Sequence, residues 1–315
     1  MKYIEYVNGR IREELDGSSP MVLFGQNVTT GSCISGLTRG LVESGELRII
    51  NTPNVENTLV GVGLGLMLSG ISSVFFMKQQ DFLLLGIDHL VNTYNAVRIK
   101  QPEASFSIVN IVVDTGFQGI QSSLNNFADF CSIARIPGFA ITNKHDADSV
   151  IGDHLTEPGL RIIGVSQRLF GTEVIDVGEG VRLRGEGDVL QYREGEDLTI
   201  ACFNFSMPQG LKLNKDLEDA GLSSSLFSVP MVNSSNWDSV LQSVAESRMR
   251  QLVLIDDSKS TNLACHKLAT DAYGRGCVER AIILSRPQGD QFLRPHDEEF
   301  NIDSEAVRRE LEMAK

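Results

Sequence analysis

Phe106 to Val113 reads FSIVNIVV, and six of its eight residues are apolar and mostly β-branched. A strand apolar on both faces must be buried on both, which occurs in parallel sheets covered by helices on each side. The same character returns at Met21 to Val28, Leu47 to Ile50, Ile71 to Met77, Phe139 to Thr142 and Leu160 to Val165. Between these runs lie segments of helical spacing: Tyr3 to Leu15, a short one at Leu37 to Ser44, the run from Thr58 to Gly70, Phe82 to Ile99, Ser122 to Ala134 and Asp146 to Leu155. Alternation of this kind predicts a doubly wound α/β architecture.

From Thr172 to Glu196 the composition shifts to glycine and charge, and a domain boundary is expected there, giving domains 1–180 and 181–315. A chain of 315 residues is long enough for two cores. A second alternating series follows, with strands at Leu198 to Asn204, Leu226 to Val232, Gln251 to Asp256 and Val278 to Leu284. Helices are expected at Leu211 to Ala220, Trp237 to Ser247, Thr261 to Tyr273 and Asp303 to Met313. The fold class expected is therefore α/β, with two doubly wound, mostly parallel sheets and helices on both faces.

Charge and cysteine usage narrow the partners. With 28 basic and 41 acidic side chains the net charge is -13, which repels phosphate backbones and anionic lipid surfaces, so neither nucleic acid nor a membrane is expected as partner. The five cysteines are scattered and form no CxxC pair, pointing to a reducing compartment and away from zinc. The opening MKYIEYVNGRIREELDG has no apolar signal region, and no stretch approaches the ~18 apolar residues of a spanning helix. A cytoplasmic chain is expected.

The chemistry-bearing motifs are few. Gly61-Val62-Gly63-Leu64-Gly65 is not GxGxxG, its glycines lie inside a helix, and no GxxxxGK[ST] is present. Glycine in a helix costs about 1 kcal/mol relative to alanine, so close packing at Gly61 and Gly65, as a seam against another subunit, is expected to offset it. The histidines show no metal-ligand spacing; His145 and His154 read as surface groups, while His89, shortly after the Gln79-Gln80 loop, is placed to line a pocket. No serine sits in GxSxG. Glu56 follows Asn51-Thr52-Pro53-Asn54-Val55 at a strand-to-helix turn. It has two readings: an acid favoured by the helix dipole by about 0.3–1 kcal/mol, or a carboxylate among Leu and Val side chains that shares a proton with a ring nitrogen.

The run NTPNVENTLVGVGLGLMLSGISSVFFMKQQDFLLLGIDHLVN resembles the pyrimidine-binding domain of the transketolase superfamily, in particular the β subunit of 2-oxo acid dehydrogenase E1 enzymes and the C-terminal subunit of split transketolases. Asn51-Thr52-Pro53, Glu56, Gly61, Gly65, Gly70, Asp81-Phe82 and Ile87 to Asn92 fall in register with the family pattern over about residues 20 to 100. More loosely, Arg193 to Thr199 is similar to the start of the transketolase C-terminal domain. The resemblance implies that Glu56 hydrogen-bonds N1' of the aminopyrimidine of thiamin diphosphate and activates the cofactor, with Phe82 and Gln79 beside the ring. Gln121 stands where the family carries a histidine that serves the substrate, and His89 is a second substrate-side residue. The GDG...N motif that holds magnesium and the diphosphate is absent, so no metal ligand is expected in this chain. The resemblance then implies a β-type subunit acting on a 2-oxo acid or ketose, with magnesium held by an α-type partner in an α2β2 assembly that includes β self-association. The alternative is a non-catalytic scaffold or regulatory paralogue.

Overall fold

The computed structural model describes residues 1–16, 20–98, 102–114, 125–178, 181–182, 189–286 and 300–313. The chain divides into two compact units, Met1–Asp176 and Val177–Lys315.

In the first unit, α1 (Tyr3–Leu15) buries Tyr3, Val7, Ile11 and Leu15, one residue per turn along a single stripe. There follow β1 (Met21–Gly25), β2 (Leu47–Asn51), α2 (Glu56–Leu68), β3 (Ser72–Met77), α3 (Tyr94–Val97), β4 (Ser105–Val112), α4 (Phe127–Ala134), β5 (Gly138–Ile141), α5 (Lys144–His154) and β6 (Gly159–Ser166). The six strands form one parallel sheet in the order β2-β1-β3-β4-β6-β5. All eight positions of β4 are buried, as its two-sided apolar sequence requires.

Two helices expected here form differently. Leu37 to Ser44 is not an α-helix: a 3-10 turn spans Ile34–Gly36, with Cys33, Ile34 and Ser35 at left-handed φ of 48°, 50° and 57°. Gly36 and Gly40, at φ of 98° and 77°, bracket the segment and break any helical run, while Thr38 donates its hydroxyl to the Val28 carbonyl at 2.6 Å. The Phe82 to Ile99 segment starts instead as a 3-10 turn over Gln80–Leu85 and passes through a π turn at His89–Thr93 into α3. Gly86 separates the two turns; a Cβ there would lie 2.6 Å from Val60 Cγ2, so this crossing over α2 requires glycine.

The second unit contains β7 (Val181–Arg182), β8 (Leu190–Arg193), β9 (Leu198–Phe203), α6 (Met207–Asp219), β10 (Ser224–Val229), α7 (Asp238–Glu246), β11 (Gln251–Asp256), α8 (His266–Gly274), β12 (Arg280–Ser285) and α9 (Ser304–Glu312). Its sheet order is β12-β11-β9-β10-β8-β7; the first four strands are parallel, and β8 and β7 are added antiparallel. Both sheets are thus of the mostly parallel α/β kind. The core is centred on fully buried Trp237, whose ring lies 5.8 Å from Phe203 and whose Nε1 donates to Asp271 at 3.1 Å. α8 begins later than the spacing from Thr261 predicts, because Asn262 N donates to Ser260 Oγ and Cys265 N to Asp256, holding the intervening residues in turns.

At the start of β9, burial alone raises the affinity of Asp197 for a proton, but hydrogen bonds from Ser223 N and Oγ and the Arg248 guanidinium outweigh it and hold the carboxyl below the usual aspartate range. A depressed folded-state value stabilises the fold above the unfolded pKa and is lost as pH falls through the folded one. Asp197→Asn is expected to cost about 1 kcal/mol at neutral pH, and urea titrations from pH 7 down to 3 should show a shallower acid loss than in the parent chain.

Candidate active site

In a sheet ordered β2-β1-β3, the chain leaves β1 in one direction and later crosses to β3 on its other side, and ligand crevices lie at the carboxyl ends of strands at such a switch. The turns after β1, β2 and β3 deliver Gln26, Glu56 and Lys78 to one small cleft at this point, with Asn54 also on its rim and Leu59, Phe75 and Phe76 as apolar walls.

The backbone holds this geometry tightly. Gly25 ends β1 at φ 149°, and a Cβ on it would stand 2.2 Å from the Phe76 carbonyl oxygen, so only glycine lets β1 and β3 run this close. The turn that carries Glu56 is tied back by Thr52 N donating to the Gly25 carbonyl at 2.9 Å. Asn51 Nδ2 also donates to Thr29 Oγ1 at 2.7 Å, and Thr29 N returns a bond to Asn51 Oδ1 at 3.0 Å.

Glu56 is the first residue of α2 and is 8% exposed; among the described residues its carboxylate has no hydrogen bond and no ion pair. Gln26 Oε1 in the same cleft and Thr52 Oγ1 in the turn leading to Glu56 are buried without partners. Orphaned acceptors of this kind cost free energy unless a donor is supplied. The small cleft therefore gathers hydrogen-bond acceptors, one of them anionic, among apolar residues, an acceptor set that suits a group bearing N–H donors.

The other expected residues fall elsewhere. Gln79 and Phe82 are half-buried on the turn after β3, outside the residues that line the cleft; their neighbour Gln80 is the buried one, with neither amide atom partnered. His89 rests on α2, its Nε2 3.1 Å from where a Cβ of Gly61 would be, and its Nδ1 lies 3.3 Å from Thr93 Oγ1. Gln121 lies outside the described residues. His145 and His154 are half-buried rather than surface groups; His154 stacks on Phe139 at 4.3 Å and pairs with Glu157.

The glycine seam is also redistributed. Gly63 makes the tightest approach, with the Phe106 ring 2.2 Å from its would-be Cβ; Gly61 carries the His89 ring, and exposed Gly65 has nothing within 4 Å. Gly61 and Gly63 are thus filled from within this chain. Gly61→Ala is expected to change stability by no more than about 0.5 kcal/mol, since the half-exposed His89 ring can shift and the helix gains from losing a glycine; thermal unfolding measures it.

Sequence reasoning missed Gln26, Lys78 and Asn110. Asn110 is a wholly buried amide in β4 with neither head atom partnered; its signal was the single carboxamide inside FSIVNIVV. Among the described residues no group of three or more His, Cys, Asp or Glu side chains is placed to hold a metal, and no helix is long and apolar enough to cross a membrane.

No protein-family model matches the sequence. Among curated proteins, the chain is 22% identical over 271 residues to the 2-oxoisovalerate dehydrogenase subunit beta of Bacillus subtilis, covering 84% of this chain and 81% of that one. It is 25% identical over 278 residues to the pyruvate dehydrogenase E1 component subunit beta of the same organism, covering 85% and 84%. Among solved structures, a split-gene transketolase described as an inactive beta4 tetramer superposes with a TM-score of 0.69 at 12% identity over 98% of this chain and 97% of that one. The transketolase of Campylobacter jejuni superposes with a TM-score of 0.65 at 8% identity, with this chain spanning 44% of its length. The fold is shared with these transketolase structures over nearly the whole of this chain. The homologues are E1 β subunits of 2-oxo acid dehydrogenases.

Proposed function

We propose that this chain is the β-type subunit of a thiamin diphosphate-dependent enzyme acting on a 2-oxo acid or a ketose. The observation that carries the reading is Glu56: a buried carboxylate with no partner among the described residues, at a helix N-terminus, in a partly apolar cleft at the switch point of the first sheet. The residue types present fit the N–H-bearing edge of an aminopyrimidine, because the Glu56 carboxylate and Gln26 Oε1 have no partner among the described residues and share the cleft with apolar Leu59 and Phe75. When bound, thiamin diphosphate supplies a nucleophilic carbon for addition to the substrate carbonyl.

Glu56 would hold the proton shared with the ring nitrogen N1', and its low-dielectric surroundings would keep water from competing for that bond. Gln79 and Phe82 are proposed to flank the ring, and Gln121 and His89 to face the substrate. The first unit acts as the pyrimidine-binding domain and the second as the transketolase C-terminal-like domain. With no GDG...N motif in this chain, the diphosphate and magnesium would be held by an α-type subunit, in an α2β2-type assembly within the cytoplasm. The likeness to a β-only tetramer described as inactive supports both self-association and the need for that partner.

Co-purification with an α-type chain, followed by assays of 2-oxo acid decarboxylation and ketol transfer, tests the reading. Activity is expected only in the complex; turnover by the β-type chain alone would sink it. A non-catalytic scaffold would instead give a complex that binds no thiamin diphosphate.

A further inference from the structure

The second unit has its own switch point, where β9 is flanked by β10 on one side and β11 on the other. At the carboxyl ends of β9 and β11 the side chains are polar yet wholly enclosed: Asp256 and Asp257 are 0% exposed, Ser258 1% and Asn204 4%. Arg286 is placed toward Asp257, donating Nε to its backbone carbonyl at 2.7 Å, and Asp257 Oδ1 accepts from Phe205 N at 3.0 Å. Asp256 has no ion pair among the described residues. Its Oδ1 accepts from Asn204 Nδ2 at 2.7 Å and Ser258 N at 3.1 Å, and its Oδ2 from Cys265 N at 3.3 Å.

Each of the two residues bonded to Asp256 Oδ1 has a buried oxygen with no partner: Asn204 Oδ1 and Ser258 Oγ. Asn204 donates its amide nitrogen to Asp256, and the unpartnered oxygen belongs to that same amide group. Two buried, unpartnered oxygens thus belong to the two residues that hold a wholly buried carboxylate, and hydrogen bonding by N–H groups spreads the carboxylate charge without neutralising it. Asn204 adopts the left-handed conformation, φ 55°, which asparagine tolerates better than most residues.

We infer that Asp256, Asn204 and Ser258 form a site for an alkali cation in the second unit, independent of the cofactor cleft. Oxygen-only donors suit a hard ion, and one uncompensated carboxylate with two neutral oxygens matches a single positive charge. The ion would fix the turns after β9 and β11 and the start of α8, since Cys265 N is bonded to the same carboxylate.

The test is thermal unfolding of the full chain in potassium, sodium and choline chloride at equal ionic strength. A saturable rise in Tm with potassium or sodium over choline is expected from binding to the folded state alone. Ser258→Ala, which leaves every bond to Asp256 intact, is expected to weaken the response about tenfold, and Asp256→Asn to abolish it. Crystals soaked in thallium(I) should show an anomalous peak at Asp256 in the parent chain. Equal Tm in all three salts, as an enclosed water would give, overturns the inference; so does a salt response unchanged by Ser258→Ala, or a thallium peak absent from this place.

Discussion

Replacing Glu56 with glutamine in the assembled enzyme is expected to lower kcat by about 10²- to 10⁴-fold, the range removed with a positioned proton-transfer group, while the chain stays folded. Both halves follow from the same observation. Among the described residues the carboxylate has no bond to lose, so the substitution orphans no existing donor; the stability change comes from the helix-dipole interaction, about 0.3–1 kcal/mol, and from the new amide N–H groups, for which Gln26 Oε1 in the same cleft is an available acceptor. Glutamine keeps the size and an acceptor but cannot share a proton with a ring nitrogen. A Glu56→Gln complex with full turnover would show that the buried acid serves only the helix, whereas a variant that failed to fold would show that it has an internal partner. Steady-state kinetics with the matching α-type chain, accompanied by circular dichroism, separates these outcomes.

The second large effect is structural and lies on the same helix. Gly63→Leu is expected to cost about 3 kcal/mol or more, at the upper end of overpacking penalties, because even a Cβ would meet the Phe106 ring at 2.2 Å and that ring is fully buried between α2 and the sheet. Gly65→Ala on the exposed side meets nothing within 4 Å and should stabilise the isolated chain by up to about 1 kcal/mol through helix propensity. Urea unfolding of the two variants measures both. If the open face at Gly65 receives another subunit, Gly65→Ala will raise the stability of the isolated chain yet weaken assembly, and sedimentation analysis would show it.

The contrast between Gly63 and Gly65 shows where the sequence stops being informative. α2 carries Leu, Val or Met on nearly every side, so its periodicity cannot say which glycine faces the sheet; the i, i+4 pair Gly61 and Gly65 suggested a groove, while the closest approach is at Gly63. The strands were legible because burial on both faces leaves a continuous apolar signature, clearest in β4. Glu56 was legible because Pro53 ends β2's register and an acid at the first turn is a local feature. By contrast, the left-handed φ of Cys33, Ile34 and Ser35 and the π turn at His89 are backbone details that apolar periodicity does not report. Gln26 and Asn110 read as ordinary polar residues until the fold closes around their amides.

Calorimetric titration of thiamin diphosphate, with magnesium, into the complex of this chain and an α-type partner tests the central claim most directly. The expected result is saturable binding by the parent complex and affinity reduced at least about tenfold in Glu56→Ala, the loss of one charge-assisted hydrogen bond. Binding that is absent from the parent complex, or unchanged by Glu56→Ala, would contradict it.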